Sequence, residues 1–178
     1  MTSKPNDAFL LVLGGCRSGK TGYGVAWAEA AGGKRAYLAT AAIHDDEMRD
    51  RVRRHQSERG AGWITVEETI DAPSALAGLA GRADVVLVDC LTMWITNLML
   101  ADWTDRGVRA EARRLVDAVR TFDGPVVVVA NEVGLGIVPD NPLARRFRDL
   151  AGWVNQSVAA AADRVVFMAA GLPMVLKG

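Results

Sequence analysis

The feature that most restricts this chain is its first apolar run, Phe9-Leu10-Leu11-Val12-Leu13, which passes directly into Gly14-Gly15-Cys16-Arg17-Ser18-Gly19-Lys20-Thr21 and then into a helix-forming stretch ending near Ala31. A G-x-x-x-x-G-K-[ST] run between a strand and a helix has a mechanical meaning. Glycines let the backbone wrap closely around phosphate groups, and the helix N-terminus offers unpaired amides and partial positive charge. Lys20 is placed to reach β- and γ-phosphate oxygens, and the Thr21 hydroxyl to hold Mg²⁺. The competing reading is a glycine-rich turn with no ligand, which the flanking strand and helix disfavour.

The rest of the chain repeats the alternation. Apolar runs of strand length recur at Ala36 to Ala39, Trp63 to Val66, Val85 to Val88, Val126 to Val129 and Val165 to Met168. Stretches of helical period separate them, near 45–59, 73–81, 91–100, 104–122 and 142–162. Strands that are apolar throughout are buried on both faces, which predicts a doubly wound, mostly parallel α/β sheet. Pro173 to Leu176 reads as a short edge strand returning beside Val165 to Met168 through Gly171. No linker, repeat or low-complexity tract divides the chain, so residues 1–178 are expected to form one nucleotide-binding domain, with residues 1–7 a flexible extension.

In such sheets ligands bind beyond the C-terminal ends of the strands. Val85-Val86-Leu87-Val88 delivers Asp89 to that edge. Two roles compete for its carboxylate: a Mg²⁺ partner to Thr21, or an N-cap for the helix beginning at Leu91. Glu67 and Glu68 close the Trp63 strand at the same edge, either as acceptors for guanine N1 and N2 or ribose hydroxyls, or as a solvated loop pair. Asn131 to Pro139 follows the most apolar strand with polar groups, two glycines and a proline, and reads as a binding loop.

Acid/base and nucleophilic candidates are few. The chain has two histidines, His44 and His55, two cysteines, Cys16 and Cys90, and lysine only at positions 4, 20, 34 and 177. The segment Asp45 to Arg59 begins acidic and turns basic, the order that suits a helix dipole. His55 falls at the end of a Met48, Val52, His55 stripe, with Arg51 and Arg59 one turn to either side. Neighbouring guanidinium groups favour the neutral imidazole, the form that attacks phosphorus. The bland reading, a histidine at the margin of a solvated basic face, stands beside it. Cys16 is expected to contribute only its backbone amide, Cys90 to be a small buried hydrophobe, and Trp94, Trp103 and Trp153 to belong to core or interface.

Taken together these segments resemble the bifunctional adenosylcobinamide kinase / adenosylcobinamide-phosphate guanylyltransferase family of cobalamin biosynthesis. The resemblance is carried by Gly14 to Thr21, Tyr37-Leu38-Ala39-Thr40, Asp45-Asp46-Glu47-Met48, Arg51-Val52 with His55, and Asn131-Glu132-Val133-Gly134 with Gly136-Ile137-Val138-Pro139. It continues through Leu143-Ala144-Arg145, Phe147-Arg148-Asp149, Gly152, Asn155-Gln156 and Ala162-Asp163. Cys16 stands where the family usually has a smaller residue.

The resemblance implies a P-loop fold of RecA-like type and two reactions. An NTP, ATP or GTP, phosphorylates adenosylcobinamide. GMP then passes from GTP to adenosylcobinamide phosphate through a guanylylated histidine, which falls on His55. It further implies nucleotide contacts at Gly14, Gly15, Cys16, Arg17, Ser18, Gly19, Lys20 and Thr21, at Ala39, Thr40 and Ala41, at Gln56, Ser57, Glu58 and Arg59, and at Glu67 and Asp89, as well as a homotrimer. A P-loop small-molecule kinase without guanylyl transfer, and a nucleotide-binding interaction module without turnover, are the rival readings.

Charge and composition exclude other classes. With 21 basic and 21 acidic residues there is no electrostatic case for nucleic acid. The apolar stretch from Leu91 to Ala101 is broken by polar residues and roughly half the ~20 residues of a membrane span. No leader pattern is visible, and a cytoplasmic location is expected.

Overall fold

A computed structural model describes residues 8–42, 60 and 62–178. In chain order the elements are β1 (Phe9–Gly14), α1 (Lys20–Ala31), β2 (Arg35–Ala39), β3 (Trp63–Glu67), α2 (Ala72–Ala77), β4 (Val85–Asp89), α3 (Leu91–Leu100), α4 (Asp105–Thr121), β5 (Val126–Asn131), α5 (Pro142–Ala161), β6 (Arg164–Ala169) and β7 (Leu172–Lys177). The expected helix over 45–59 lies outside the described residues. The seven strands form one sheet in the order β3-β2-β4-β5-β1-β6-β7. Every pair is parallel except β6 with β7. This is the mostly parallel, doubly wound α/β sheet expected of a P-loop fold.

Strand alternation sorts the valines and leucines onto two faces. Leu10, Val12, Val85, Leu87, Val127 and Val129 pack against Tyr23, Val25, Trp27 and Ala28 of α1. Phe9, Leu11, Leu13, Val86, Val88, Val126, Val128 and Ala130 pack on the opposite face, where α2, α3, α4 and α5 supply Leu76, Trp94, Leu98, Leu115 and Val154. The indole of Trp94 is fully buried and donates to the Ile70 carbonyl at 2.7 Å. Trp103 packs against this core, and Trp153 of α5 carries the Arg109 guanidinium of α4 3.7 Å above its ring. The core reading holds for Trp94 and Trp103, whereas Trp153 is exposed and stacks under Arg109 at the surface.

Element boundaries follow local chemistry. Thr104 caps α4 by accepting from the Gly107 amide, and Asn141 caps α5 from Leu143 and Ala144, with Pro142 as first helical residue. The helix expected through Gly81 stops at Ala77, because Gly78 ends it and turns carry the chain onward. The C-terminal strand does return antiparallel beside β6. Its two-residue turn, Ala170-Gly171, has φ of 51° and 81°, the left-handed pair that matches strand twist in a tight hairpin. Lys177 then reaches back to the carbonyls of Ala159, Ala160 and Ala162 at the C-terminal end of α5.

Close approach of α1 to the sheet depends on Gly24, where a Cβ would stand 3.3 Å from Leu87 Cδ1 and 3.4 Å from Val129 Cγ2. A Gly24→Leu substitution should lower stability by about 1–3 kcal/mol through overpacking. Urea denaturation measures this, with an unchanged m-value as the sign that the fold itself persists.

Candidate active site

The loop from Gly14 to Thr21 is shaped by what surrounds it. At Gly14, with φ of 152°, a Cβ would lie 2.5 Å from the Met168 carbonyl oxygen and 2.7 Å from Ser18 Oγ, so only glycine fits. Gly19 takes φ of 95° and starts α1 without any side-chain cap. The first helical bond is Tyr23 N–H to the Gly19 carbonyl. The amides of Lys20, Thr21 and Gly22 therefore have no intrahelical acceptor and face the end of the strand, which is the geometry of an anion site. Arg17, a non-glycine at φ of 55°, sits exposed at the loop's tip.

Lys20 is buried, and its Nζ donates to the Gly15 carbonyl at 2.5 Å with Ser18 Oγ at 3.5 Å. Burial lowers its pKa, against the opposing pull of the acidic groups of Cys90, Asp89 and Cys16. The cation is thus held, poorly solvated, inside the loop it would serve.

Asp89 joins this group across the sheet. Thr21 Oγ1 donates to Asp89 Oδ2 at 2.8 Å, and the Tyr37 hydroxyl donates to the same oxygen at 2.9 Å. The N-cap alternative fails, because Cys90 occupies the cap of α3 without a side-chain bond. A hydroxyl and a carboxylate oxygen brought this close form the hard oxygen donor set that suits Mg²⁺. Tyr37 went unnoticed in the sequence as a site residue. Its signal was parity: it shares the α1 face with Asp89 and lies one strand away, in register with Leu87.

The other expected contacts line up along the same edge. Glu67 pairs with Ala39, Ala39 with Asp89, and Asn131 with Gly14. Glu67 ends β3 exposed, two strand spacings from Asp89, about 10 Å. Glu68 is committed elsewhere, accepting from the amides of Ile70 and Asp71 at 2.8 and 3.0 Å, which leaves Glu67 as the one of the two without a hydrogen-bond partner among the described residues. Thr40 is wholly buried. Its Oγ1 donates to the Cys90 carbonyl and accepts from the Cys90 amide at 2.7 and 2.8 Å, while Asn97 holds its own carbonyl. Its hydroxyl therefore fixes the chain just after Asp89, and Ala39 and Ala41 flank it at the edge. His44, Arg51, Arg54, His55, Gln56, Ser57, Glu58 and Arg59 lie outside the described residues.

Loop, lysine, threonine and aspartate on this sheet define a P-loop nucleoside triphosphate-binding protein. More narrowly, the chain belongs to the cobinamide kinase / cobinamide phosphate guanyltransferase family, whose sequence profile matches residues 10–176. It is 42% identical over 168 residues to the bifunctional adenosylcobalamin biosynthesis protein CobP of Pseudomonas aeruginosa, covering 94% of this chain and 96% of that one. It is 39% and 38% identical to the proteins named bifunctional adenosylcobalamin biosynthesis protein CobU of Salmonella typhimurium and Escherichia coli, each match covering 94% of this chain and 99% of the relative.

Two outcomes check this geometry. Tyr37→Phe removes one of the two hydroxyl donors to Asp89 and should cost about 1 kcal/mol in urea denaturation. Cys90 is only partly exposed, and burial with Asp89 beside it pushes its thiol up to about 11, so about one thiol in a thousand is ionised at pH 8. Iodoacetamide at that pH should modify the exposed Cys16 and spare Cys90, with Cys90 alkylation rising about tenfold per pH unit toward pH 10, read by peptide mass spectrometry.

Proposed function

We propose that this protein phosphorylates adenosylcobinamide with a nucleoside triphosphate and then transfers GMP from GTP to adenosylcobinamide phosphate, releasing pyrophosphate. The observation that carries the reading is family membership across nearly the whole chain, joined to a loop in which Lys20, Thr21 and Asp89 converge. Both reactions use one cradle, since the described strands form a single sheet with a single such loop.

In the first reaction the acceptor hydroxyl forms a bond to the γ-phosphorus as the bond to the β-phosphate oxygen breaks. Loop amides and Lys20 hold the phosphate oxygens as charge builds on them. Thr21 and Asp89 would hold Mg²⁺, which neutralises charge between the β- and γ-phosphates when bound. Tyr37 keeps the Asp89 carboxylate oriented toward Thr21. In the second reaction a neutral His55 nitrogen bonds to the α-phosphorus of GTP and pyrophosphate leaves. An oxygen of adenosylcobinamide phosphate then displaces the histidine and takes the GMP. Gln56, Ser57, Glu58 and Arg59 follow the nucleophile and bind the nucleotide it carries. Glu67 accepts from the guanine or the ribose, and Ala39 to Ala41 contact the nucleotide at the sheet edge.

The same reading makes the enzyme a cytoplasmic homotrimer. Supporting self-association, β7 exposes all six residues, Leu172, Met174, Val175 and Leu176 among them, along a sheet edge. Among the described residues no helix is long and apolar enough to cross a membrane.

GTP labelled at the α-phosphate should leave acid-labile, alkali-stable label on the protein, and His55→Ala should abolish it. No label, or label surviving the substitution, would sink the histidine mechanism and leave a kinase alone. Transfer of γ-label to adenosylcobinamide tests the kinase half directly.

A further inference from the structure

The loop that leaves β5 is fixed at its root and along its sides and bare at its tip. Asn131, the last residue of β5, donates its N–H to Thr92 Oγ1 of α3 at 2.8 Å and accepts at its carbonyl from Asn155 Nδ2 of α5 at 3.2 Å. The Glu132 amide donates to the Gly14 carbonyl at 3.0 Å, and Val133 packs against the core. Glu132 Oε1 accepts from the Gly134 amide, and Arg148 of α5 donates to the Gly134 carbonyl at 3.0 Å. Arg145, one turn into α5, donates to the carbonyls of Pro139 and Asp140 at 2.9 and 2.6 Å. Polar side chains thus hold both ends of the loop, and the four residues between are presented as a shaped projection.

That projection is Leu135-Gly136-Ile137-Val138. Leu135 is 82% exposed, Ile137 98% and Val138 60%, and Leu143 in the first turn of α5 adds a fourth aliphatic side chain at 52%. Holding such side chains in water is unfavourable, and a group of them on a fixed loop marks a surface that an apolar ligand or partner covers. The other such group among the described residues lies on β7, at the outer edge of the sheet. This loop instead rises from β5 in the middle, between the strands that carry Asp89 and the phosphate loop, at the edge where sheets of this kind bind their ligands.

We propose that Leu135, Ile137, Val138 and Leu143 form the docking surface for the corrin ring of the acceptor. The assignment rests on the functional reading above, which makes the acceptor a corrinoid. Its reacting hydroxyl ends a short amide-linked side chain, so when that hydroxyl meets a nucleotide at Gly14 to Thr21 the ring lies no further off than the side chain allows. Ile137 is six residues past Asn131, which pairs with Gly14, and so stands within about 20 Å of the phosphate loop even at full extension. The ring is broad and uncharged at its rim, where methyl groups alternate with carboxamides, and a neutral aliphatic surface suits it. At Gly136 a Cβ would meet nothing within 4 Å, which leaves room for a flat ring to approach the backbone. A second copy of the chain is the rival occupant. The bond from Glu132 to Gly14 favours the substrate, because it ties this surface to the nucleotide loop rather than to the outer edge of the sheet.

The test uses the full chain and reads acceptor and nucleotide separately. In the double variant Leu135→Ser/Ile137→Ser the KM for adenosylcobinamide in γ-label transfer should rise about tenfold or more, since each truncation removes apolar contact with the ring. The nucleotide KM, and kcat at saturating acceptor, should stay within about threefold of the parent. The KM for adenosylcobinamide phosphate in the second reaction should rise in parallel, because both acceptors carry the same ring. Label retained from α-labelled GTP, a step that needs no corrinoid, should match the parent. Leu135→Met/Ile137→Leu keeps the surface apolar and should bring both acceptor KM values back to within about threefold of the parent. An unchanged acceptor KM in the serine variant would overturn the proposal. So would a changed oligomeric state in sedimentation with all activities falling together, which would assign the surface to a second copy of the chain. A parent protein that neither phosphorylates adenosylcobinamide nor binds it in equilibrium dialysis would instead overturn the functional reading beneath it.

Discussion

Everything at the site depends on the 2.8 Å bond between Thr21 and Asp89, which closes only because the sheet between them is continuous and in register. Thr21 lies in the first turn of the helix that follows β1, and Asp89 ends β4, with β5 interposed. A slip of one residue in either pairing would turn Asp89 to the other face, against α3. The valine-rich strands that bury both faces of the sheet are thus also what aims the carboxylate. Stability and site geometry here have the same cause.

Much of this was legible beforehand, for identifiable reasons. The loop betrays itself because a strand, a fixed glycine spacing, Lys20-Thr21 and a helix follow one another without a gap, so its geometry is local. The strands betray themselves because burial on both faces leaves no polar positions in Val126 to Val129. Even the return of β7 followed from one glycine, since Gly171 permits the turn on which the hairpin depends.

What escaped notice is non-local. Tyr37 lies in the middle of an apolar strand and becomes a site residue only once β2 is known to neighbour β4. Glu67 and Glu68 look alike on paper, but their fates differ because the chain turns at Ile70 and offers two amides to one carboxylate and none to the other. Nothing in the sequence showed that the Thr40 hydroxyl spans the backbone of Cys90, a residue fifty positions later. Asp89 left a cap role open on paper, and only the structure removes it, because the helix after it begins without its help.

The strand order has a further meaning in time. β1 is the first strand made, yet its two neighbours are β5 and β6, which belong to the last third of the chain. Behind the phosphate loop, the hairpin turn donates from the Gly171 amide to the Ser18 carbonyl at 3.0 Å and packs its Cα against Gly19. The loop's own residues are therefore synthesised early and supported late. Until β5 arrives the first strand is an apolar segment with two unpaired edges, until the C-terminal hairpin arrives it still has one, and the nucleotide site is among the last parts of the molecule to exist.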